Sequence, residues 1–132
     1  MAAIHIGNIL KSTQRIIVAV IDDDCGMRTA MERYLSVLGY GTETFDSAAA
    51  FLRAAATSDA TCLVVDFHLG DGTGVELALQ LAADGFKYPI IFVSGHDNEN
   101  IRTQVAVAGG VAFLRKPFPP ELLQEAIIKA IG

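Results

Sequence analysis

The chain has 132 residues, 52% of them hydrophobic, a net charge of -5 and an isoelectric point near 5.0. That length and apolar fraction suit one domain with an ordinary buried core, and the acidic balance offers no general attraction for polyphosphate backbones, which argues against direct nucleic-acid binding. Cys25 and Cys62 form neither a disulfide framework nor a metal-ligand spacing, no apolar run approaches the roughly 18 residues a bilayer span needs, and residues 1–14 carry no secretory leader pattern, so a cytoplasmic protein with no membrane contact is expected.

Residues 1–14 are mixed and weakly periodic and are read as an extension before a single domain over residues 15–131. Five strand-length runs then follow: IIVAVI at 16–21, YGTETF at 40–45, CLVV at 62–65, IIFV at 90–93 and VAFL at 111–114. Four are nearly unbroken apolar runs, as expected of parallel strands covered on both faces, whereas 40–45 alternates and is placed at a sheet edge. Helical patterns lie between them. Met27, Met31, Tyr34, Leu35 and Leu38 recur at helical spacing, and Gly39 follows as a stop, which predicts a helix over 26–38. Ser47 can cap a second helix through Ala56, Thr73 or Gly74 opens a third to about Asp84, and Asp97 or Asn98 opens a fourth to about Ala108. Pro119 and Pro120 begin a fifth, with Leu123, Ala126, Ile127, Ala130 and Ile131 on one face. Five strands alternating with five helices imply an α/β fold, a doubly wound, flavodoxin-like parallel five-stranded sheet of order 2-1-3-4-5.

In such a sheet ligands bind outside the carboxyl ends of the strands. The first strand runs into Asp22 and Asp23, the third into Asp66, the fourth into Ser94 and the fifth into Lys116, so all five residues face one rim. Converging carboxylates repel each other by about 1–4 kcal/mol per pair at about 4 Å, depending on the local dielectric, so a cation is expected among them. An all-oxygen site with few protein ligands and room for water suits Mg²⁺. Asp24 is then assigned to capping the first helix. Beside a metal, the Asp66 carboxylate can act as a nucleophile toward a phosphoryl group, with Lys116 as a point charge and the Ser94 hydroxyl as a donor to the phosphoryl oxygens.

The motifs VIDDD, LVVDFHLGDGTG, IIFVSGH and FLRKPF, in that order, resemble the receiver domain of two-component response regulators over about residues 15–131. The resemblance implies Asp22 and Asp23 as the acidic pair, Asp66 as phosphoacceptor, Ser94 as switch hydroxyl, Lys116 as the phosphate-binding lysine and Phe113 as the switch aromatic. It implies Mg²⁺ held by Asp23, Asp66 and the backbone carbonyl of His68, with Asp22 acting through water, and a cis Lys116–Pro117 bond. In the family's mechanism Ser94 moves toward the phosphate and Phe113 rotates inward behind it, re-forming the surface of the fourth helix, fifth strand and fifth helix. That surface also permits a homodimer. The partner implied is a sensor histidine kinase or phosphotransfer protein, and the chain would act as an enzyme only on itself.

Two histidines depart from the commonest pattern: His68, two residues after Asp66, and His96, two after Ser94, stand where side chains flank the phosphoryl group and are expected to tune its hydrolysis. Gly70 stands where many receivers carry proline, with little expected cost. LGYGTETFDSAAAFL resembles receivers that precede helix-turn-helix output domains, so the chain is expected to be a single-domain regulator or a receiver with an output domain elsewhere. Rival motifs fail on register. A haloacid-dehalogenase signature ending in GDGTG needs an aspartate where Leu69 stands, a dinucleotide loop needs glycine where Val75 stands, and no calcium loop has its ligand positions. The remaining alternative is an unphosphorylated receiver-like scaffold that binds partners.

Overall fold

The structure, a computed structural model, describes residues 16–132; the extension assigned to residues 1–14 lies outside them. Five parallel strands, β1 (Ile17–Ile21), β2 (Gly41–Phe45), β3 (Cys62–Asp66), β4 (Ile90–Ser94) and β5 (Ala112–Arg115), form one sheet of order β2-β1-β3-β4-β5. Between and after them run α1 (Cys25–Val37), α2 (Ala48–Ala54), α3 (Gly74–Ala83), α4 (Glu99–Val107) and α5 (Pro120–Ile131). This is the doubly wound, flavodoxin-like order expected, with the alternating strand β2 at an edge. The Lys116–Pro117 bond is cis, as the resemblance implies. No helix among the described residues is long and apolar enough to cross a membrane.

Side chains of a strand alternate between its two faces, and the core divides accordingly. Ala19, Ile21, Leu63, Val65 and Phe92 pack with Phe51 of α2, Leu77 and Leu81 of α3, and Ile101 and Val105 of α4. Val18, Val20, Val64, Ile91 and Val93 point the other way, onto Met31 and Leu35 of α1 and Leu123 and Ile127 of α5, with Cys62 buried among them. Burial pushes the Cys62 thiol up to about 11, so it packs as an inert small hydrophobe. The buried stripes on α1 and α5 are narrower than the periodicity suggests: Tyr34 and Ile131 remain exposed because each helix meets the sheet along one side only.

The helix starts follow the local chemistry. Asp24 Oδ1 accepts from the backbone N–H groups of Gly26 and Met27, Ser47 Oγ from Ala50, and Asn98 Oδ1 from Ile101. Thr73 and Glu76 form a reciprocal capping box on α3. Gly39, at φ 89°, ends α1 in the left-handed region that glycine enters without strain.

One feature of the β3–α3 connection is absent from the sequence reading: His68–Leu69 and Gly72–Thr73 pair as a short antiparallel hairpin. The next residue, Gly74, donates its N–H to the Phe67 carbonyl at 2.8 Å and brings the start of α3 hard against the end of β3. A Cβ there would lie 2.4 Å from the Asp66 carbonyl oxygen and 2.7 Å from Val65 Cγ1. Gly74→Ala is therefore expected to destabilise the fold by about 1–3 kcal/mol through overpacking, read as a lowered urea midpoint with unchanged slope.

Candidate functional site

Among the described residues, the buried polar or charged ones are Asp22, Asp66 and Ser94, at 1%, 8% and 0% exposure. All three lie at carboxyl ends of central strands. Asp22 follows β1, Asp66 ends β3, and Ser94 ends β4, one position beyond Val93, the residue paired with Asp66. Polar groups buried at that depth require partners, and each has them.

Lys116, just beyond β5, supplies the central partner. Its ammonium donates to Asp22 Oδ2 at 2.9 Å and to Asp66 Oδ2 at 2.8 Å. The backbone holds it there, since the Lys116 N–H donates to the Ser94 carbonyl at 2.7 Å. The other oxygens of the two carboxylates are engaged by backbone: Asp66 Oδ1 accepts from His68 N–H at 3.1 Å and Asp22 Oδ1 from Asp24 N–H at 2.9 Å. Ser94 Oγ accepts from His96 N–H at 3.0 Å. Thus Asp66, Ser94 and Asp22 each accept from the residue two places on, which curls each strand end back around its own side chain.

The electrostatics follow from two buried carboxylates sharing one cation. Burial pushes the Asp66 carboxyl above its ordinary range and the nearby Asp22 charge adds to this, while the Lys116 ammonium and the His68 N–H oppose it. Burial alone would lower Lys116, but its hydrogen bonds and charge attraction to Asp22 and Asp66 outweigh that and raise it, so the ammonium stays charged. Asp23, exposed at the rim, brings a third carboxylate: Asp22, Asp23 and Asp66 each offer an oxygen, all within 4.8 Å of one another. Three carboxylates against one ammonium leave the cluster net negative. Hard oxygen donors with an exposed side open to water fit a small divalent cation.

The remaining expected residues cluster nearby. His68 and His96 are exposed, their rings edge to face with centroids 5.7 Å apart, so the two loops that begin at Asp66 and Ser94 meet above the rim. Phe113 is half-buried on β5. Gly70 lies beside the acidic cluster, where a Cβ would stand 3.6 Å from Asp23 Oδ2, an ordinary contact. Asp24 caps α1, as expected.

Three residues escaped the sequence reading. Asp71, in the β3–α3 hairpin turn, accepts from Ala48 and Ala49 N–H at 3.2 and 3.1 Å, and these bonds hold its carboxyl below the ordinary range. It straps the loop that carries His68 to the start of α2. Arg28 of α1 donates to the Asp22 carbonyl at 2.7 Å and fixes the β1–α1 turn. Arg102 of α4 stacks on Phe113. The GDG stretch marks Asp71 as a turn residue, but the N–H groups that donate to it lie 22 and 23 positions away, beyond any local pattern. A cavity of about 230 Å³, lined in part by Leu52, Asp71, Thr73 and Leu77, lies between α2 and α3, outside the acidic cluster.

Over residues 18–128 the sequence matches the family model of the response regulator receiver domain. It is 32% identical over 120 residues to the response regulator protein TodT of Pseudomonas putida, covering 91% of this chain and 53% of TodT. It is 34% identical over 114 residues to the transcriptional regulatory protein FixJ of Bradyrhizobium diazoefficiens, covering 86% of this chain and 56% of FixJ. The crystal structure of FixJ-N superposes with a TM-score of 0.83 at 31% identity, covering 89% of this chain and 94% of that one. The chain spans about half the length of the curated relatives it matches. A sheet of this order, with its buried acids gathered around one lysine and a family match over most of its length, belongs to the receiver domains of two-component response regulators.

Proposed function

We propose that the chain is a phosphoacceptor: Asp66 takes a phosphoryl group from the phosphohistidine of a sensor histidine kinase or phosphotransfer protein, in a reaction that requires Mg²⁺. The observation that carries this reading is the Asp66 carboxylate itself. It is buried at a strand end, with one oxygen on the Lys116 ammonium, the other on a backbone N–H, and two further carboxylates within reach of a shared cation. A structural ion pair would need only one acid for one lysine.

Asp23, Asp66 and the backbone carbonyl of His68 would hold the Mg²⁺, with Asp22 acting through water. When bound, the ion neutralises charge on the transferring oxygens. The chain's own residues do the rest. An Asp66 oxygen attacks phosphorus as the P–N bond of the donor histidine breaks; the imidazole keeps the bonding pair and is protonated from solvent, leaving an aspartyl phosphate. Lys116 moves from Asp66 Oδ2 to a phosphoryl oxygen, and the Ser94 hydroxyl donates to another. The new group adds about -1.5 to -2 charges and three acceptors, enough to bias a bistable loop. Phe113 then follows Ser94 inward, and the α4–β5–α5 surface carries the signal to an output domain, a downstream protein or a second copy of the chain. Residues 15–131 form this unit, with 1–14 as an extension. The relatives' description as transcriptional regulators supports a cytoplasmic role upstream of transcription, with DNA contact made outside this domain. The chain catalyses only its own phosphorylation and dephosphorylation.

Incubation with Mg²⁺ and acetyl phosphate is expected to add one phosphoryl group to the intact mass of the unaltered chain and none to Asp66→Asn. Equal gain in both would move the acceptor elsewhere; no gain in either, together with no Mg²⁺-dependent binding of beryllofluoride, would favour the unphosphorylated scaffold. The paired imidazoles of His68 and His96 stand over the rim, where they order or exclude the attacking water. His68→Ala and His96→Ala are each expected to change the phosphoryl half-life several-fold while leaving the site of phosphorylation unchanged; equal half-lives would remove the histidines from the mechanism.

A further inference from the structure

Phe113 sits on β5, an edge strand, where its ring packs only partly against the core. An arginine lies over it. The guanidinium carbon of Arg102, on α4, lies 5.5 Å from the ring centroid, within the range of a cation–π contact. Arg102 is in turn held from its other side: Nε and Nη2 donate to Asp97 Oδ1 and Oδ2 at 2.6 and 2.7 Å, a bidentate fork that fixes the plane of the guanidinium. Asp97 stands three residues past Ser94, in the loop that leads into α4, and the Arg115 charge adds to the attraction it feels. One exposed arginine therefore joins the loop that leaves Ser94, the helix that follows it and the aromatic ring on the neighbouring strand. The Arg102 side chain is 62% exposed, so replacing it removes little buried surface.

We propose that Arg102, clamped by Asp97, is a latch on the outer face of Phe113 that holds the receiver in its resting arrangement. The inference rests on the phosphoacceptor reading and concerns how that site is regulated. A ring that rotates inward behind Ser94 leaves the guanidinium, and a Ser94 loop that moves toward Asp66 pulls Asp97 away from α4. Both movements of the switch give up the same cluster of contacts. A phosphoryl group, which favours the moved arrangement, thus binds against the latch, and its apparent affinity is reduced by whatever the latch contributes.

The sign of the effect separates the latch from a plain charge effect. Arg102 is positive and Asp97 negative, so through the general field Arg102→Ala would weaken an anion at Asp66 and Asp97→Asn would strengthen it. The latch requires both to strengthen it. Beryllofluoride with Mg²⁺, titrated into the full chain and followed by backbone amide NMR shifts, reads this directly. Arg102→Ala is expected to lower the half-saturating concentration by about 2- to 5-fold, the range of an exposed cation–π contact, and Asp97→Asn to lower it by less. The double variant should go no further than Arg102→Ala, because the clamp acts only through the arginine. In a Phe113→Leu background, Arg102→Ala should have no effect. An unchanged or raised midpoint in Arg102→Ala, with the unaltered chain saturating normally, overturns the latch and leaves the phosphoacceptor reading standing. Failure of the unaltered chain to bind beryllofluoride at all overturns that reading, and the latch with it.

Discussion

The Lys116 ammonium is shared by Asp22 and Asp66, and the geometry of the rim depends on that sharing. A single acid and lysine would neutralise one another and close the site. Two buried acids on one lysine leave it short of positive charge, and Asp23 widens the deficit. Burial of ions is costly unless each charge is paired and hydrogen-bonded, which explains why every carboxylate oxygen of Asp22 and Asp66 has a donor among Lys116, His68 and Asp24. The cluster is satisfied as a hydrogen-bonding network and unsatisfied as a charge balance. That combination keeps it formed while leaving it receptive to a divalent cation and, beside that cation, to a phosphoryl group.

The fold delivers these groups by simple means. Parallel strands end together at one rim, so residues at 22, 66, 94 and 116 converge although they lie far apart in the chain. The loops leaving that rim are tied to the helices behind it. Asp71 fastens the β3–α3 hairpin to α2, Arg28 fastens the β1–α1 turn, and the Lys116 N–H joins the end of β4 to the start of the final loop. Gly74 lets α3 begin against the Asp66 carbonyl. A charge change at Asp66 is therefore set among tied connections on several sides, while toward α4 and β5 it meets the exposed Arg102–Asp97 pair and the half-buried Phe113.

Much of this was legible in the residues because the governing forces are local. Apolar runs at 16–21, 62–65 and 90–93 have the length and continuity of strands covered on both faces, and Asp24, Ser47, Thr73 and Asn98 are capping side chains within three positions of the N–H groups they satisfy. Strand order placed the polar ends on one rim without any knowledge of contacts. What escaped depends on distance across the chain. Asp71 reaches back to α2, Arg102 meets a ring eleven positions on and in another element, and neither spacing belongs to a helix or strand period. The hairpin at 68–73 was hidden because each arm is two residues long. Tyr34 and Ile131 fitted the helical stripe yet remained exposed, since periodicity marks a face and does not say how far the neighbouring sheet extends over it.

If the site is held together by one lysine and left short of one divalent charge, Mg²⁺ binding should show it without any phosphoryl donor. Calorimetric titration is expected to find one Mg²⁺ per chain, lost in Asp23→Asn and tightened in Lys116→Met, where the competing ammonium is gone. Saturable binding that ignores Asp23, or that weakens when Lys116 is removed, would contradict the account.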